Sequence, residues 1–272
     1  MIKELGLFFP RSLGEISLSS PLEGKRILVT RPRGQASKLV DKLVELGAIP
    51  IQLPAIEIAP PTDYEAFDAA LRNLHRYDWV IFTSVNGVSA VASRLNQIRV
   101  SREGINKLKM AVIGPATCEV ATKEFREPDF VPKEYVSEAI SSSIEEIKGK
   151  RFLLLRADIA RKELANELRQ KGGDVTEVAV YRIISDQESK LKANEAAPDY
   201  ITLTSSASVH ATLAKLREAG RERWMRTVPI ACIGPITAKT VTDLGFKVAV
   251  GADEYTIPGL VAAIIAHAEG KR

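Results

Sequence analysis

Short apolar runs that stop at a loop, each followed by a stretch of helical spacing, recur along the whole chain. Arg26-Ile27-Leu28-Val29-Thr30 shows no polar alternation, the mark of a strand buried on both faces. Arg31-Pro32-Arg33-Gly34 breaks it. Ala36, Leu39, Val40, Leu43 and Val44 then fall at helical spacing across 35–46, and Gly47 stops the helix. Residues 49–53 read as the next strand. The second half replays this order: strand 152–155, an arginine-bearing loop 156–160, helix 161–171 ending at Gly172-Gly173, and strand 175–184. Asp78-Trp79-Val80-Ile81-Phe82 is a strand running into a hydroxyl-bearing turn, with a helical stripe at Val88, Val91, Ala92 and Leu95 behind it. Asp199-Tyr200-Ile201-Thr202-Leu203 does the same, with Val209, Leu213 and Leu216 behind.

These phrases are written twice. Ala111-Val112-Ile113-Gly114-Pro115-Ala116-Thr117 returns as Ala231-Cys232-Ile233-Gly234-Pro235-Ile236-Thr237, an offset of 233 − 113 = 120. Thr83-Ser84 returns as Thr204-Ser205 at 204 − 83 = 121, and Arg31 aligns with Arg156 at 156 − 31 = 125. Tyr135-Val136-Ser137-Glu138-Ala139-Ile140 is echoed by Tyr255-Thr256-Ile257-Pro258-Gly259-Leu260, each leading into a last helix. One α/β unit is therefore repeated, and 272 residues suffice for two domains. The repeat alone divides the chain near Gly149. Strand–helix alternation predicts parallel sheets with right-handed crossovers and helices on both faces. The ligand site then belongs at the carboxyl ends of the strands. The polar stretch 187–198 reads as a loop or short helix, and 99–107 as a charged insertion.

The turns at those ends carry the candidate chemistry. Ser84 and Asn86, and Thr204, Ser205 and Ser206, sit at helix entries, where they either cap free backbone donors or present donors to a carboxylate or phosphate. Thr83 precedes the first of these turns. Thr117 and Thr237 stand just inside helices that follow Gly114 and Gly234, with proline at home in the first helical turn. Arg31, Arg33, Arg156 and Arg161 lie in the two opening loops, and arginine forks carboxylates bidentately. Arg31 and Arg156 follow apolar strands directly and are expected at the mouth of the site; Arg33 reads as surface. Tyr181, in Val180-Tyr181-Arg182, is either strand packing or a phenolic proton donor.

Composition narrows the choice. A net charge of +4 suits an anionic ligand, and 6% aromatics disfavours base stacking on nucleic acid. Two cysteines, Cys118 and Cys232, in different halves and only three histidines speak against a zinc site or a disulfide framework. No run has the length of a membrane-spanning helix, and 1–23 lacks the form of a signal peptide. The expectation is a cytoplasmic protein with a loose N-terminal extension, long enough at 1–24 to hold an organellar address. There is no Gly-x-Ser-x-Gly elbow, no P-loop and no dinucleotide fingerprint. An enzyme of this composition works by positioning a reactive substrate. A two-lobed small-anion binding or regulatory module is the alternative.

The ordered set Val29-Thr30-Arg31-Pro32, Ile81-Phe82-Thr83-Ser84-Val85-Asn86-Gly87-Val88, Ala111 to Thr117, Val180-Tyr181-Arg182, Leu203-Thr204-Ser205-Ser206 and Ile233 to Thr237 resembles the uroporphyrinogen-III synthases, over 25–268. The resemblance implies two flavodoxin-like, doubly wound parallel-sheet domains joined by a two-stranded linker, with the site in the cleft between them. It implies a discontinuous first domain, 1–54 with 186–272, a second at 58–180, and crossings at 55–57 and 181–185. The implied reaction cyclises the linear tetrapyrrole hydroxymethylbilane to uroporphyrinogen III, inverting the last ring by a spiro route and losing water. No cofactor or metal is implied. Tyr181 would donate the proton. Arg31, Thr83, Ser84, Asn86, Gly114, Thr117, Arg156, Arg161, Thr204, Ser205, Ser206, Gly234 and Thr237 would hold the substrate's carboxylates. A monomer, with transient contact to the preceding enzyme of the pathway, is the implied assembly. The loop 156–161 departs from the pattern by lacking the glycines many relatives have there.

Overall fold

A computed structural model describes residues 20–132 and 137–271. Residues 1–19 of the extension, and Tyr135 and Val136 of the closing echo, lie outside the described residues. The chain opens with β1 (Arg26–Val29), α1 (Arg33–Glu45) and β2 (Ile49–Gln52). It continues through β3 (Ile56–Ala59), α2 (Glu65–Arg72), β4 (Trp79–Phe82), α3 (Val85–Gln97), the single turn α4 (Glu103–Asn106), β5 (Lys109–Val112) and α5 (Pro115–Glu124). Then come α6 (Ser137–Ser143), β6 (Arg151–Ala157), α7 (Glu163–Gln170) and β7 (Asp174–Ser185). The last part holds β8 (Tyr200–Leu203), α8 (Ser206–Glu218), α9 (Trp224–Thr227), β9 (Ile230–Cys232), α10 (Pro235–Asp243), β10 (Val250–Gly251) and α11 (Ile257–Ala268).

Two five-stranded sheets result. The first has the order β10-β9-β8-β1-β2 and is parallel throughout. Numbered along the chain from its own first strand, this is the flavodoxin order 2-1-3-4-5. The second has the order β3-β7-β6-β4-β5, and its parallel part β5-β4-β6-β7 repeats 2-1-3-4. Its edge differs: β3 runs antiparallel to the far end of β7, from Ile56 opposite Ser185 to Ala59 opposite Arg182. The chain passes between the sheets next to this ribbon, where the Asp186 amide donates to the Ala55 carbonyl at 3.2 Å.

A cut at Gly149 would separate β1 from β8, its direct neighbour, in which Leu28 faces Ile201. Repetition specifies the unit, whereas pairing of strands more than 170 residues apart is decided by which buried faces meet. The inner strands β1 and β4 are covered on both faces and end in apolar runs; Ile27, Leu28, Val29, Val80, Ile81 and Phe82 have no exposed surface.

Details depart from the sequence pattern. Residues 20–24 are not loose: Leu22 is fully buried under α1, and its amide donates to the Leu46 carbonyl at 3.1 Å. Val44 is 56% exposed, because Ala36, Leu39 and Leu43 already fill the inward stripe of α1. The helix expected at 161–171 starts at Glu163, leaving Arg161 in the loop. Residues 187–198 form neither helix nor strand. Among the described residues no helix is long and apolar enough to cross a membrane.

Candidate active site

Four helices begin where parallel strands end: α3 after β4, α5 after β5, α8 after β8 and α10 after β9. The first residues of such helices leave N–H groups without intrahelical partners. In α3 and α8 a serine takes up that deficit. Ser84 Oγ accepts from the Gly87 amide at 3.2 Å, and Ser205 and Ser208 form a reciprocal capping box with both bonds at 3.1 Å. In α5 and α10 no side chain caps the end, and proline occupies the first turn. The Cys118 amide reaches back to Gly114 and the Ala238 amide to Gly234. The amides of Ala116, Thr117, Ile236 and Thr237 therefore stay available at positive helix ends.

These two uncapped ends line one hollow of about 310 Å³, together with Thr83, Thr204, Ile113, Ile233 and Tyr255. Loops and helix ends of both sheets line it. Thr117 and Thr237 are 5% and 4% exposed, and both face this space. Among the described residues the hydroxyls of Thr83, Thr117, Thr204 and Thr237 have no hydrogen-bond partner. The two glycine corners differ in backbone. Gly114 has φ +81, which a side chain adopts only under strain, whereas Gly234 is extended and a Cβ there would meet the Tyr255 ring at 3.3 Å.

A polar chain links the two lobes. Arg31 donates through Nε to the Gln35 carbonyl at 3.0 Å and through Nη2 to Gln35 Oε1 at 3.3 Å. Gln35 Nε2 donates to Asn86 Oδ1 at 2.6 Å, from the first sheet's side to the second's. Arg31 has no carboxylate partner among the described residues, and its burial pulls the guanidinium below its ordinary pKa. Tyr181, 6% exposed, has its phenol 2.9 Å from Ser84 Oγ. Burial raises the phenol's pKa above 10.0, with hydrogen bonding to Ser84 and Asn86 opposing it, so the group stays protonated at neutral pH. The ring lines a second hollow of about 330 Å³, between β3, α2 and α3, together with Asn86; none of the four threonines lines it.

Other expected residues go elsewhere. Arg156 does not stand at the mouth: it belongs to β6, is 4% exposed, pairs with Glu177 and donates to the Arg161 carbonyl at 2.8 Å. A guanidinium flanked by that carboxylate, which also takes Lys162 and Arg169, is part of a structural cluster. Arg161 pairs with Glu163 at 4.0 Å on the surface. Ser206 turns to Thr240, at 2.7 Å, and ties α8 to α10. Arg33 pairs with Asp186 and Glu188 in its own lobe. Gln35 and Tyr255 also belong to these sites, and neither carries a sequence signal of its own. Gln35 looks like any first-turn helix residue; Tyr255 showed only as half of a repeated phrase. Among the described residues, no three His, Cys, Asp or Glu side chains gather as a metal site.

Fold and site together define a class: two flavodoxin-like α/β lobes facing across a cleft lined with uncapped helix N-termini and free hydroxyls, suited to a flexible molecule with several negative charges. The sequence comparisons fix which family. The family model for uroporphyrinogen-III synthase HemD matches residues 37–262. The chain is 32% identical over 254 residues to a uroporphyrinogen-III synthase of Synechococcus elongatus, covering 90% of this chain and 96% of that one. It is 30% identical over 242 residues to a putative uroporphyrinogen-III synthase of Methanocaldococcus jannaschii, covering 88% and 97%. In fold it is similar to a mutant uroporphyrinogen III synthase of Thermus thermophilus, with TM-score 0.68 at 18% identity over 92% of this chain and all of that one. A Helicobacter pylori uroporphyrinogen-III synthetase gives TM-score 0.58 at 15% identity, covering 90% and 99%. The chain belongs to the uroporphyrinogen-III synthase family, cyclising lyases that close hydroxymethylbilane in tetrapyrrole biosynthesis.

Proposed function

We propose that this chain converts hydroxymethylbilane to uroporphyrinogen III by gripping the substrate's carboxylates from both lobes and bending it toward the spiro route. The observation that carries the reading is the pair of uncapped helix ends, α5 and α10, with their unpartnered threonine hydroxyls lining one hollow. Each end offers two amides, a positive dipole end and a hydroxyl, a set that fits a carboxylate. Thr83 and Thr204 extend the grip, and Arg31 adds the charge that amides lack. Ser84, Ser205 and Gly114 serve by holding the helix entries in place. Arg156, Arg161 and Ser206 hold the fold rather than the substrate.

The division proposed is a first lobe of 1–54 with 186–272 and a second built on 58–180, hinged at the antiparallel ribbon. In this reading Tyr181, a neutral phenol, gives its proton to the departing hydroxyl, which leaves as water, and the phenolate takes back the proton released by the pyrrole carbon that forms the new ring bond. The resulting cation is steered by the bend of the chain, so the enzyme's work is positioning. The protein acts as a monomer in the cytoplasm, meeting the preceding enzyme only in passing.

Freshly prepared hydroxymethylbilane, incubated with the protein and resolved into isomers, tests the reading. Isomer III formed faster than the spontaneous closure is expected. Isomer I alone at the spontaneous rate overturns it.

A further inference from the structure

The two lobes touch through a side chain that the grip on carboxylates does not use. Gln35, in the first turn of α1, is half-buried and placed between groups from both lobes. Its carboxamide oxygen accepts from Arg31 at 3.3 Å, and its nitrogen donates to Asn86 Oδ1 at 2.6 Å. Asn86 is in the first turn of α3 and lines the same hollow as Tyr181, whose phenol meets Ser84 at 2.9 Å. One amide thus spans a route from the carboxylate-free arginine of one lobe to the phenol of the other.

The orientation is fixed by chemistry. Arginine only donates, so it faces the amide oxygen of Gln35 and turns the amide nitrogen outward. That nitrogen requires an acceptor, so Asn86 presents its oxygen to Gln35 and keeps its own nitrogen for another partner. The Tyr181 phenol lines the same hollow as that nitrogen. A carboxylate pulling on Arg31 therefore bears on both the closure of the lobes and the setting of Asn86 against Tyr181.

We propose that Gln35 is a positioning residue: a latch between the lobes that couples Arg31 to the Asn86–Tyr181 pair. The coupling to turnover rests on the proposed cyclisation; the latch itself does not. Gln35→Met keeps the length and loses both amide contacts. Losing one net hydrogen bond between the lobes shifts the open–closed balance about fivefold. Small-angle scattering of the substrate-free variant should show a larger radius than the parent, with an unchanged thermal transition. In steady state, kcat should fall about fivefold or more and the share of isomer III should drop. Asn86→Leu should do the same, and the double variant should lose no more than the worse single one, since both act through one bond. Gln35→Met with parental scattering and parental kcat, or losses that multiply in the double variant, overturns the latch. A parent that makes no isomer III defeats the catalytic reading alone, because the scattering comparison needs no substrate.

Discussion

Replacing Thr117 or Thr237 with valine separates binding from folding by sign. Both threonines are nearly buried, and among the described residues neither hydroxyl has a partner. Valine has nearly the same shape and a similar helix propensity, so the lattice of contacts survives. Neither oxygen is among the described buried atoms that lack a partner, so each opens to the hollow, and losing it costs the fold little. Thr117→Val and Thr237→Val should therefore leave stability unchanged or raise it by up to about 1 kcal/mol. Binding should move the other way. A hydrogen bond to a charged group is worth about 1.5–3 kcal/mol, so each variant should lose about ten- to a hundredfold in kcat/KM. The two sites lie on different lobes and would hold different carboxylates, so their losses should multiply. Urea unfolding gives the first quantity and isomer-resolved turnover the second. A variant that loses stability while keeping kcat/KM would show that the hydroxyls are structural, and the helix ends would lose their assigned role.

Other outcomes follow from the same geometry. Tyr181→Phe should lower kcat at least about a hundredfold if the phenol is the proton donor. A loss confined to about 1 kcal/mol of stability, with kcat nearly intact, would make the phenol a partner of Ser84 only. Gly114→Ala should destabilise by about 1–3 kcal/mol, because φ +81 with ψ 157 is a backbone that essentially only glycine adopts. Gly234→Ala, where the backbone is extended and only the Tyr255 ring must yield, should cost less; equal urea midpoints would refute this. At the opposite end of the second sheet, Asp78 is held at about 2 by hydrogen bonds from Arg151, below the ordinary 3.8. A depressed carboxyl stabilises above 3.8, and that contribution is lost as pH falls from 3.8 toward about 2. Asp78→Asn should flatten the stability curve in that window; the effect is small because the pair is partly exposed. An unchanged slope would remove Asp78 from the acid response.

The chain by itself determined the repeated unit and where its turns fall. Unbroken apolar runs such as Ile27-Leu28-Val29 require sheets covered on both faces, and Gly-Pro-x-Thr after a strand requires a helix entry; both are local consequences of backbone geometry and burial. The threonines of the site were legible for that reason, being carried by turns whose shape nearby residues impose. Tertiary structure alone decided what those turns face. Arg31 and Arg156 occupy matching places in the repeat, yet Glu177 on the neighbouring strand captures Arg156, and no carboxylate among the described residues meets Arg31. Gln35 gains its partner only because α3 of the other lobe arrives opposite it, 51 positions further along the chain. Whether a polar side chain is spent on the fold or left for a ligand depends on what long-range packing sets beside it, and no local pattern encodes that.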